Sequence, residues 1–125
     1  MAERQEQVPV RRPPTGHPAL RTLAMPADAN PNGDIFGGWV LSQMDLAGAV
    51  PAVDLAKGRV ATVAVDSMRF LQPIFVGDLV SCYAEVVRVG TSSMTVRIET
   101  WSRRARLGRE GLVTEGTYVY VAIDD

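Results

Sequence analysis

Residues 39–56, WVLSQMDLAGAVPAVDLA, constrain the fold more than any other stretch of the chain. Only Ser42, Gln43, Asp45 and Asp54 are clearly polar there. A helix over this stretch is apolar around most of its circumference, so it has to be enclosed rather than laid on a surface. Gly37 or Gly38 can begin it, and Gly58 stands where a C-terminal stop is expected. Pro51 removes one backbone hydrogen bond and crowds the preceding turn, which predicts a kink or break near residue 47.

What encloses the helix has to come from the remaining residues, and these read as β. ALRTLAMP (19–26) is a short strand closed by Pro26, and ADANPNGDIFGG is loop, because Asn-Pro and Asn-Gly are turn dipeptides. After the helix come four strand-like runs: residues 59–71, 79–89, 94–104 and 112–123. Within the third, Met94, Val96 and Ile98 alternate with Thr95, Arg97 and Glu99, the signature of a half-buried strand. Long strands with short connections predict an antiparallel meander. The expected architecture is therefore α+β, one long central helix wrapped by a curved antiparallel sheet. Residues 1–17 are polar and interrupted by Pro9, Pro13 and Pro14. They read as a flexible N-terminal arm that orders against a partner subunit, if at all, leaving 18–125 as the folded domain.

Composition removes several classes of function. A formal net charge of −1 argues against sequence-independent nucleic-acid binding. The N-terminus has no apolar signal core, and no run of about twenty apolar residues exists to span a bilayer, so the expectation is a cytoplasmic protein. Cys82 is the only cysteine, which forbids an intramolecular disulfide and suits a small buried hydrophobe. His17 is the only histidine and precedes the first strand. No His or Cys pair has metal-ligand spacing, so neither a metal nor a resident cofactor is expected. Ser67 has no histidine partner for a triad.

The loop and helix entry are more specific. PADANPNGDIFGGWVLSQMDLAGAV, continuing through GRVATVAVDSMRFLQPIFVGDLVSCYAEVVRVGTSS to IETW, closely resembles the hotdog-fold acyl-CoA thioesterases, in particular the bacterial YciA type of the ACOT class. The likeness covers roughly residues 20 to 123, and its GDIFGG…SQMD block is the specific part. The resemblance implies a hotdog subunit, a homodimer whose two sheets join edge to edge, and a trimer of such dimers, a hexamer. It implies hydrolysis of acyl-CoA to free acid and CoA within fatty acid metabolism, coenzyme A being part of substrate and product. Pro51 departs from the pattern, standing where relatives usually carry an ordinary helix former.

Thioester hydrolysis without a metal or a triad needs donors aimed at the developing oxyanion and a base or nucleophile opposite them. The first turn of a helix supplies free N–H groups and the positive end of its dipole, and Gly37 and Gly38 let a substrate come close. Asp45 is then the base or nucleophile. It lies eight residues beyond Gly37, about 12 Å along a helix, whereas reacting atoms meet at about 3–3.5 Å. One carbonyl carbon cannot reach both groups in one subunit. Antiparallel helices across a two-fold axis would pair Gly37 of one subunit with Asp45 of the other.

Asp34 precedes the helix in an NGD turn, and the resemblance makes it a secondary site candidate. Ser42 and Gln43 are candidate orienters of water or carbonyl. Phe36, Trp39, Val40 and Met44 are candidate linings of an acyl tunnel. For the phosphates of CoA the resemblance favours Arg59, Thr91, Ser92, Ser93 and Arg103 or Arg104, drawn from more than one subunit. A non-catalytic acyl-CoA sensor on the same fold is the alternative. A dehydratase lacks its site histidine, and a purely structural protein leaves the Gly-Gly entry and Asp45 without a purpose.

Overall fold

The computed structural model describes residues 11–104 and 108–123. Strand β1 (Leu20–Leu23) leads through a single 3-10 turn (Pro26–Asp28) to helix α1 (Gly37–Ala56), followed by β2 (Val60–Phe70), β3 (Leu79–Val89), β4 (Ser93–Arg103) and β5 (Glu110–Ala122). The five strands form one antiparallel sheet in the order β1-β3-β4-β5-β2, and α1 packs on all five.

That order corrects the expected meander. Strands β3, β4 and β5 do pair in sequence, but β2 lies beyond β5 at the far edge. Residues 71–78 must carry the chain back past the ends of β5 and β4. The crossing is held by the Leu71 N–H donating to Val113 C=O (2.8 Å) and by the Ile35 N–H donating to Ile74 C=O (2.9 Å). The loop entering α1 therefore rests on the crossing segment, which is how the sheet topology positions the helix entry.

Val40, Met44, Ala47, Gly48 and Ala52 form the buried stripe of α1. Opposite them, Leu46, Val50 and Val53 are exposed. The sheet thus encloses only one face of a helix that is apolar on both. From the sheet, Val80, Cys82, Met94, Val96 and Ile98 meet the buried stripe, so the alternation read in β4 is the observed one. Burial pushes the Cys82 thiol up to about 11, against a smaller opposite effect of its hydrogen bond with Thr100.

Of the kink or break expected near residue 47, the break does not occur: α1 runs unbroken through Pro51. An interior proline costs about 3 kcal/mol, but Ala47 and Ala52 on either side of it are fully buried. Their packing against the sheet holds the helix where local propensity alone would not. The helix also ends at Ala56, short of Gly58: Lys57 takes the left-handed conformation (φ 56°, ψ 40°) and its N–H donates to Val53 C=O (2.8 Å).

The other face of the sheet is charged. Glu115, 6 % exposed, accepts from Arg97 (2.8 Å), Arg11 (3.0 Å) and Arg69 (3.2 Å). Glu99 accepts from Arg11 (2.9 Å) and from the Trp101 indole N–H (3.0 Å). Of the arm expected over 1–17, residues 1–10 lie outside the described residues, while Arg11 reaches this cluster. His17 is exposed, as its place before the first strand suggested. Among the described residues no helix is long and apolar enough to cross a membrane.

Candidate active site

The turn-forming run before α1 folds around one side chain. Asn30 Oδ1 accepts from the N–H groups of Asn32 (2.9 Å) and Asp34 (3.1 Å), and Gly33 adopts φ 93°, a conformation that favours glycine. The Phe36 N–H donates to Asp28 C=O (3.0 Å), which fixes the direction in which α1 begins. The N-cap position falls on Phe36, whose side chain cannot accept a hydrogen bond, and the first turn holds no acid. Both ordinary means of satisfying a helix N-terminus are missing.

Gly37 and Gly38 are exposed at this entry. A Cβ on Gly38 would meet nothing within 4 Å, and one on Gly37 only the Phe70 ring at ordinary contact distance, 3.6 Å. Packing within this chain therefore requires neither glycine, and neither has a positive φ. Beside them is a cavity of about 330 Å³ whose lining includes Asn30, Asp34, Gly37, Val40, Phe70 and Leu71. Asp34 is thus at the helix entry, and its backbone bridges Phe75 of the crossing segment.

Asp45 is two turns further along α1 and does not line that cavity. Its carboxylate, half-buried, accepts a short hydrogen bond from Thr62 Oγ1 (2.6 Å) on β2, the edge strand. Its main-chain carbonyl accepts from the Tyr120 hydroxyl (2.7 Å), and the carbonyl of Leu41, one turn earlier, accepts from Tyr118 (2.7 Å). Burial, with the negative charge of Asp45 added to it, pushes both phenols far above their ordinary range. Gly48 lies under the Tyr120 contact. A Cβ there would collide with the Tyr120 hydroxyl and come within 2.7 Å of Ile98 Cδ1.

The remaining candidates divide by location. Phe36 is half exposed at the entry, Trp39 is partly buried, and Val40 and Met44 belong to the core between helix and sheet. Ser42 is exposed and Gln43 half-buried. Arg103 ends β4 opposite Leu79 and Glu110. Arg104 stacks over Phe75 (4.1 Å to the ring centre) and approaches Asp78 Oδ1 (3.5 Å), so both arginines lie at the entry end of α1. Thr91, Ser92 and Ser93 instead border a cavity of about 220 Å³ with Leu55 and Ala56 at the helix exit. Arg59 is at that end too, its carbonyl accepting from the Ile123 N–H (3.0 Å). A helix of 20 residues is about 30 Å long, so one chain does not bring the two groups together.

Sequence reasoning missed Thr62, Tyr118, Tyr120 and Gly48. The two tyrosines carried a signal, since residues two apart on a strand share a face. The small-residue run Ala47-Gly48-Ala49 signalled a close approach of helix to sheet. Nothing in the sequence could pair Thr62 with Asp45, because that contact depends on which strand lies at the edge. Among the described residues no group of three or more His, Cys, Asp and Glu side chains is arranged to hold a metal ion.

Comparison with known proteins bears on this arrangement. The family model described as the thioesterase superfamily matches residues 32–108. The acyl-CoA thioester hydrolase YciA of Salmonella typhimurium is 52% identical over 114 residues, covering 89% of this chain and 86% of that protein. A hexameric thioesterase from Yersinia pestis is 54% identical with a TM-score of 0.85, covering 90% of this chain and 91% of that one. A hexameric hotdog-fold thioesterase of Campylobacter jejuni is 44% identical with a TM-score of 0.82, covering 87% and 84%.

Proposed function

The chain belongs to the thioesterase superfamily, and from that premise we propose that it is an acyl-CoA thioester hydrolase, cleaving acyl-CoA to the free acid and coenzyme A. One observation carries the reading. Helix α1 begins uncapped at two glycines with open space above them, and eight residues later presents the Asp45 carboxylate at the free edge of the sheet.

The N–H groups of Gly37 and Gly38 hold the thioester oxygen as it becomes an oxyanion, aided by the positive end of the helix dipole. Asp45, oriented by Thr62, acts from the opposite side as general base toward water or as nucleophile toward the carbonyl carbon. As base it takes a proton from the water that attacks the carbonyl; the C–S bond then breaks and the thiolate of CoA leaves. Asp34 lines the entry cavity as a secondary contributor, Phe36 lines the acyl tunnel, and Gln43 orients the water or the carbonyl.

The two functional groups come from different subunits. Leu46, Val50 and Val53 leave an exposed apolar stripe on α1, and beside it β2 is an open edge exposing Val63 and Val65. A two-fold partner covers the stripe and extends the sheet, and its antiparallel helix brings Asp45 beside the neighbour's Gly37. The same operation moves the exit-end Arg59, Thr91, Ser92 and Ser93 toward the neighbour's entry-end Arg103 and Arg104, gathering donors for the CoA phosphates. Three such dimers make the hexamer, acting in the cytoplasm with no resident cofactor.

The test is thiol release from short, medium and long acyl-CoA esters. Asp45→Asn should lower kcat by about 10²-fold or more, as loss of a general base predicts. Co-assembling inactive Gly37→Val and Asp45→Asn subunits should restore about a quarter of wild-type activity, because half the dimers are mixed and each holds one intact site. No recovery on mixing would refute the shared site. Acyl-CoA binding without thiol release by the wild type would favour a sensor instead.

A further inference from the structure

On the reading of Asp45 just given, we infer that Tyr120 is a positioning residue for it, acting through the main-chain carbonyl of Asp45 and admitted to that carbonyl by Gly48. Three observations meet at this turn of α1. The Tyr120 hydroxyl donates to Asp45 C=O at 2.7 Å, adding a bond to an acceptor that has a second lone pair beyond its helical one. The hydroxyl occupies space that any Cβ on residue 48 would fill. Pro51 has no N–H to give to Ala47 C=O, so the helix is short of one internal bond two residues past Asp45.

The fit has a geometric basis. Tyr118 and Tyr120 are two residues apart on β5, a rise of about 6.8 Å at 3.4 Å per residue. Leu41 and Asp45 are four apart on α1, a rise of about 6.0 Å. Strand and helix run alongside each other closely enough for the two hydroxyls to meet two successive carbonyls on one side of the helix. The pair sets the axial position of α1 on the sheet. Tyr118 anchors the turn before the carboxylate; Tyr120 holds the residue that bears it. Since the carboxylate is tied separately to Thr62 on β2, Asp45 is held at both its main chain and its side chain by two adjacent strands.

Backbone tethering of this kind acts on geometry rather than on substrate affinity. A reacting group displaced by about 1 Å loses up to about 10²-fold in rate. Tyr120→Phe keeps the ring and removes only the hydroxyl. We expect kcat for acyl-CoA hydrolysis to fall about 10-fold with KM changed less than about two-fold. Tyr118→Phe, which removes the equivalent bond at Leu41, should lower the melting temperature as much as Tyr120→Phe does, since each loses one hydrogen bond, while changing kcat less than about two-fold. Equal kcat losses in the two variants, or a Tyr120→Phe effect confined to KM or absent, would overturn the inference. Asp45→Asn in the same assay separates the two readings. An inactive Asp45→Asn with a normal Tyr120→Phe rejects the positioning role alone, whereas an active Asp45→Asn rejects the base and its positioning together.

Discussion

Glycine has three different uses within sixteen residues of this chain, and only the surroundings distinguish them. Gly33 is required by its backbone, at φ 93°. Gly37 and Gly38 are required by nothing within the chain and leave room for something outside it. Gly48 is required by packing, because helix and sheet touch there through the Tyr120 hydroxyl and Ile98. Gly48→Ala should improve helix propensity by about 1 kcal/mol. Against this stands overpacking at a site whose neighbours are a buried ring and a buried Ile98, which typically costs about 1–3 kcal/mol and the hydroxyl contact as well. The second effect wins: the variant should be destabilised by about 1–2 kcal/mol net in urea unfolding, whereas alanine at Gly38 should be neutral or stabilising. The role of Gly48 was visible in sequence only as one small residue among three. Which of Ala47, Gly48 and Ala49 could not bear a side chain depends on where β5 places a tyrosine.

At the scale of the element, α1 is a poor autonomous helix. It has no N-cap side chain, no acid in its first turn, no basic residue in its last, and a proline in its interior. Such a segment is helical because five strands hold one of its faces. Replacing Pro51 by alanine restores an N–H for the Ala47 carbonyl and relieves the ring's clash, a gain of up to about 3 kcal/mol. The freer unfolded chain offsets about 0.4–1 kcal/mol of it. Pro51→Ala should therefore raise stability by about 2 kcal/mol in chemical denaturation. An unchanged midpoint would mean that the proline ring itself packs favourably. Of the kink or break expected from sequence near residue 47, the break is absent for the same reason: propensity is local, and tertiary burial of Ala47 and Ala52 outweighs it.

At the scale of the whole molecule, the outer face of the sheet is joined by charge where the inner face is joined by apolar contact. Burial raises the Glu115 carboxyl, but Arg11, Arg97 and Arg69 together outweigh it and hold the group below the ordinary glutamate range. A carboxylate depressed in the folded state contributes stability above its unfolded value, about 4.3, and loses that contribution as pH falls through its folded value. The melting temperature should thus drop as the solution is acidified below about pH 4.3, and Glu115→Gln should flatten that limb while lowering stability at neutral pH. The cluster joins β2, β4, β5 and the start of the described chain, and none of those pairings could be read from the sequence. What the sequence by itself determined was periodic or local: one helix, four long strands after it, the alternation of β4, the turn chemistry of Asn30 to Asp34, and the glycine entry with Asp45 two turns on. These depend on residues a few positions apart, where backbone geometry dictates who faces whom. Only the tertiary structure decided that β2 crosses to the far edge, that Thr62 therefore meets Asp45, and that two tyrosine hydroxyls grip the helix. Those contacts join residues 17 and 75–77 positions apart. They follow from how whole strands order themselves around a buried surface, which no short stretch of sequence encodes.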